Sequence, residues 1–104
     1  MHVADILAER EFSPQDKVRK EIYRSGAAKV LLICFESGQA LEPCVMGAEV
    51  VFYVVEGTGR IRVESTTVDV RQGSLVVVPA GLERQIEACS PMVVLALQAL
   101  GQGG

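Results

Sequence analysis

Cys44 and Met46 are the side chains whose types and spacing could do chemistry, and they stand two residues apart. On a strand that spacing puts both on one face. A thiolate beside a thioether is a soft donor pair that suits Cu(I). No third soft ligand follows at a metal-binding spacing, so the preferred reading is apolar packing, which both residues do well. The only histidine is His2, so neither a Ser-His-Asp nor a Cys-His arrangement is expected. Gly57-Thr58-Gly59 lacks the following helix that a phosphate-binding loop uses.

The elements that would position these residues are short strands. Residues 3–9 fit one helical turn with Val3, Ile6 and Leu7 on one side. Pro14 opens a loop. In residues 17–24, Val18 and Ile22 fit either a helix face or a strand face, and the strand is favoured because Ser25-Gly26-Ala27-Ala28 then turns it into the run Lys29 to Phe35. Val50 to Val55 is a second apolar run, stopped at Glu56-Gly57. Residues 60–64 alternate polar and apolar, so one face is wet. Further strands are expected at 67–71, 75–78 and 85–88, and a last apolar one at 92–100. The tail 101–104 reads as disordered. Turn signals every eight to twelve residues indicate a sandwich or barrel. The runs 30–35 and 92–99 are apolar on both faces, so an N-terminal arm, a partner subunit or both should cover the outer one.

The 104 residues fit one domain, with a barrel core expected over about 29–99 and an N-terminal arm over 1–28. Hydrophobic residues make up 49% while aromatics are only 5% and Trp is absent. That aliphatic surplus in a small domain predicts a homodimer. Sedimentation at micromolar concentration that showed only monomer would count against it. The formal charge is −3, and basic residues cluster only loosely at Lys17, Arg19 and Lys20, so no nucleic-acid partner is expected. No segment approaches a membrane span, and the start lacks a signal-peptide pattern, so the expected location is cytoplasmic. Cys34, Cys44 and Cys89 are widely spaced and read as reduced thiols.

Glycines and one proline carry a further pattern. Gly38, Cys44-Val45-Met46, Val50 and Gly57 are followed by Gly73, Pro79-Ala80-Gly81, Arg84 and Ala88. In these spacings the chain resembles the small single-domain members of the cupin superfamily. The resemblance implies an all-β double-stranded β-helix, a cupin or jelly-roll barrel, with a short N-terminal helical turn or arm. The family's two motifs carry His-x-His with a Glu, then a His, and hold a metal inside the barrel. At those positions this sequence has Cys44, Met46, Val50 and Arg84. No metal and no cofactor are therefore expected, and the family's metal chemistry does not transfer.

The same resemblance turns Cys44, Met46, Val50, Phe52 and Val54 inward, together with Arg84. A guanidinium inside an apolar barrel is costly unless paired. Glu42, Glu49 or Glu83 could pair with it, or it could reach the barrel mouth, or an anionic ligand could be held in bidentate fashion. A cation beside Cys44 would favour its thiolate, although an inert thiol is preferred. The reading is a metal-free module that binds or senses a small molecule, such as a carboxylate held by Arg84, with Cys44, Met46, Val50 and Phe52 lining the site. Two alternatives stand beside it. One is an enzyme using a Cys44/Met46 metal site or an acid–base pocket, although the reading leans away from catalysis. The other is a structural dimer with a filled barrel.

Overall fold

The computed structural model describes residues 1–100, and among these turn residues cut the chain into nine strands. The strands are β1 (Val18–Arg24), β2 (Ala28–Phe35), β3 (Ala40–Val45), β4 (Val50–Glu56), β5 (Thr58–Val63), β6 (Thr66–Arg71), β7 (Leu75–Val78), β8 (Glu83–Ala88) and β9 (Met92–Ala99). All pairings are antiparallel, in a five-stranded sheet β1-β2-β9-β4-β7 and a four-stranded sheet β3-β8-β5-β6. No helix forms among the described residues, so the chain is all-β as expected. The expected disorder of the tail concerns residues outside the described ones.

Alternation explains why the two sheets close on each other. Ile33 and Phe35 on β2, Phe52 and Val54 on β4, and Val94 and Ala96 on β9 face Ile61 on β5, Val70 on β6, and Ile86 and Ala88 on β8. All are buried. Successive strand residues point to opposite faces, so burying one set leaves the other outside. On the four-stranded sheet that outer set is charged. Arg60 pairs with Asp69 and Glu87, and Arg62 with Glu83.

The outer face of the five-stranded sheet is apolar, and the arm covers half of it. Ile6 and Phe12 pack, with Ile22, on Leu32, Cys34 and Val93. Arg10 fastens the arm through Nη1 to Glu56 Oε1 at 2.6 Å, and the Gln39 side-chain amide donates to the Ser13 carbonyl at 2.8 Å. The other half stays open, with Tyr53, Leu75, Val77 and Leu97 exposed.

Two expectations need correction. The barrel begins at Val18, ahead of residue 29, because β1 pairs with β2 along its length and extends the larger sheet. The Ser25 amide closes that hairpin on the Ala28 carbonyl at 2.8 Å. The arm is thus 1–17. Its single turn is closed by the Glu9 amide on the Asp5 and Ile6 carbonyls, but only Ile6 of the expected apolar face is packed. Val3 and Leu7 are exposed.

The arm has a consequence for stability. Burial pushes the Cys34 thiol up, opposed by a hydrogen bond from the Glu11 backbone. An unfolded thiol ionises near pH ~8.5, whereas the folded one ionises later. The stability held by the neutral thiol is complete below that pH and is lost as pH rises towards the folded value. Urea unfolding from pH 7 to 10 should therefore show a steeper alkaline loss for the parent than for Cys34→Ala. Parallel curves would contradict this.

Candidate functional site

Between the sheets, at the end where β3 turns towards β4, lies a cavity of about 60 Å³. Its wall comprises Leu31, Ile33, Leu41, Cys44, Met46, Val50, Phe52, Ala96, Gln98, Arg84 and Arg19. On this measure a single water needs roughly 10–15 Å³, so the space suits a few waters or one very small molecule. All five residues singled out from the sequence, Arg84, Cys44, Met46, Val50 and Phe52, meet here. Val54 is buried deeper in the core and does not line the cavity.

Local irregularity sets the Cys44 wall. On β3, Leu41 pairs with Ile86 and Cys44 with Arg84, with a register shift between Leu41 and Cys44. Three residues apart on a regular strand, Leu41 and Cys44 would face opposite sides. The shift falls at Glu42-Pro43, where Pro43 has no amide to give the ladder, and it brings both residues inward. Met46 lies just beyond β3 and is held by its carbonyl, which accepts from the Gly81 amide at 2.9 Å. Cys44 and Met46 are half-buried, and both stand on the cavity wall.

Arg84 is the unusual group. It is only 1% exposed, the sole buried charged residue among those described. Its Nε–H donates to the Leu82 carbonyl at 3.2 Å, while Nη2 is buried without a hydrogen-bond partner. None of the expected carboxylates reaches it. Glu42 is taken by Lys17 at 3.2 Å, Glu83 by Arg62 at 3.1 Å, and Glu49 is exposed. Nor does the side chain reach solvent at the mouth. Nη2 itself has almost no open surface.

The sequence reading missed Arg19 and Gln98 as wall residues. Arg19 pairs in register with Ile33 on β2 and so shares its inner face. It is exposed at the rim. Once β1 is registered on β2, the alternation of Arg19 with Val18 and Lys20 gives it away. Gln98 is opposite Val50 in the register of β9 on β4. A wider groove of about 250 Å³ lies on the outer face of the smaller sheet, lined by Arg60, Arg62, Thr67, Gln85 and Glu87. Its charges satisfy one another.

Two antiparallel sheets closed over an inward-facing core, with a cavity at one end, define a double-stranded β-helix barrel. The chain belongs to the cupin family: the cupin-domain model matches residues 32–98. A Thermus thermophilus protein, TT1209, is 24% identical, with 96% of this chain and 98% of that one covered at a TM-score of 0.90. An RmlC-like cupin from Desulfovibrio desulfuricans is also 24% identical, covering 95% of this chain and 96% of that one at 0.89. A double-stranded β-helix protein of Klebsiella pneumoniae is 13% identical, covering 100% and 94% at 0.89. These likenesses establish the fold alone. No curated protein matches the sequence.

The metal that the family implies does not fit this wall. Valine and a charged guanidinium offer no lone pair, and no group of three His, Cys, Asp or Glu side chains gathers among the described residues. A cation beside Cys44 and Met46 would also face Arg84 across the strand pair, like charge against like. No helix in the described residues is long and apolar enough to cross a membrane.

Proposed function

We propose that the cavity binds a small carboxylate or an anion of similar size, anchored by Arg84, and that the chain acts as a binding module. Arg84 lines the cavity and keeps its Nη2 buried and unpartnered, and this carries the reading. A guanidinium can hold two carboxylate oxygens in parallel hydrogen bonds, and no carboxylate among the described residues competes for it. The remaining wall is aliphatic or sulfur-bearing, which suits a short apolar tail.

The test is thermal unfolding with formate, acetate and propionate against chloride at equal ionic strength. A ligand at a hundred times its Kd stabilises by about 2.7 kcal/mol. In a domain of this size that is a rise of roughly 10–20 °C. If no carboxylate raises the midpoint above its chloride value, the proposal fails.

A further inference from the structure

The cavity wall carries a charge that one carboxylate does not match. Six of the ten lysines and arginines form ion pairs: Arg10, Lys17, Lys20, Arg24, Arg60 and Arg62. Among the described residues four do not, namely Arg19, Lys29, Arg71 and Arg84. Two of these four, Arg84 and Arg19, line this one cavity, and no Asp or Glu lines it. A chain of net charge −3 thus keeps a doubly positive, uncompensated wall at a single place. The two arginines come from opposite sheets, Arg84 on β8 and Arg19 on edge strand β1. One is deep and the other is at the rim.

Resting on the carboxylate reading above, we infer that the ligand is a short-chain dicarboxylate. One carboxylate enters to Arg84, and the second remains at the mouth against Arg19. The cavity of about 60 Å³ takes one head and a short stretch of chain, so the second head must lie at the rim, where Arg19 is. Leu31, Ile33 and Ala96 supply an aliphatic wall for the carbons. Gln98 offers an amide for an additional hydrogen bond. A monocarboxylate would satisfy Arg84 and leave Arg19 to water.

Succinate and butyrate test this, because they share a chain length and differ by the second carboxylate. Binding is measured by calorimetry at pH 7.5 and fixed low ionic strength. Succinate should bind the parent about fivefold tighter than butyrate, the scale of one exposed ion pair. Arg19→Gln should abolish that advantage, weakening succinate far more than butyrate. Among the described residues Arg19 makes no side-chain hydrogen bond or ion pair, so the variant keeps its fold, checked by circular dichroism. Equal binding of the two acids by the parent, or an advantage that survives Arg19→Gln, overturns the dicarboxylate inference while the carboxylate reading stands. Failure of both acids to bind the parent overturns the dicarboxylate inference, and failure of formate, acetate and propionate as well overturns the carboxylate reading with it.

Discussion

An Arg84→Met variant should fold, melt roughly 10 °C above the parent in carboxylate-free buffer, and no longer respond to carboxylate. Methionine has nearly the volume of arginine and packs into irregular apolar space. It sheds a charge that is 1% exposed and has no ion partner. Replacing buried charges with apolar side chains of similar volume is often neutral or stabilising by about 1–4 kcal/mol. Against this stands the loss of the Nε–H bond to the Leu82 carbonyl, about 1 kcal/mol. The net gain of ~0–3 kcal/mol corresponds to several degrees per kcal/mol in a domain this small, with ~10 °C in the middle of that range. If Arg84 is instead a structural prop, its removal costs stability, on the scale of ~3–5 kcal/mol for a broken buried pair. Thermal unfolding with and without acetate separates the cases. A variant that melts lower, or that still answers to acetate, contradicts the role given to Arg84.

Gly57→Ala should cost at least ~4 kcal/mol, and Gly73→Ala only ~1–2. Both glycines have φ of 91°, a region where a Cβ costs about 1–2 kcal/mol by itself. At Gly73 the space for a Cβ is open. At Gly57 the same atom would run into the Pro91 carbonyl oxygen and lie 2.6 Å from Met92 Cα. That backbone cannot yield easily. The Thr58 amide donates to Ser90 Oγ at 2.9 Å, and the Cys89 amide donates to the Thr58 carbonyl at 2.9 Å. Accommodating the methyl means breaking this clamp. A loss of that size is a large part of the 5–15 kcal/mol typical of a native domain. Urea denaturation of the two variants side by side is the measurement, and similar losses would show that the close approach at Gly57 is relieved cheaply.

The frame was legible because it depends on residues with one physical purpose. Gly38, Gly57, Gly73 and Gly81 all take positive φ, and a sequence advertises such places by glycine. The inward set on β4 was legible because strict alternation leaves no choice once one residue is placed. Cys44 came out inward for a reason the sequence shows only faintly, the register shift at Pro43. Arg19 was not legible. Its place in the wall depends on the pairing of β1 with β2, and residues 17–24 alone fit either a strand or a helix. The state of Arg84 was also out of reach, because whether Glu42 or Glu83 pairs with it depends on where Lys17 and Arg62 lie in space.

The place of β9 bears on how the molecule assembles. It is last of the nine strands in sequence, yet it lies in the middle of the larger sheet, between β2 and β4. The hairpin of β1 and β2 cannot join β4 and β7 until β9 arrives. At about 5–20 residues per second of synthesis, β2 waits several seconds for its neighbour. Through that interval it shows a bare, aliphatic edge of the kind that draws other chains. Such long-range pairing also belongs to folds that form in about milliseconds to seconds. The strand that completes the core is therefore also the one that ends the period of greatest exposure to aggregation.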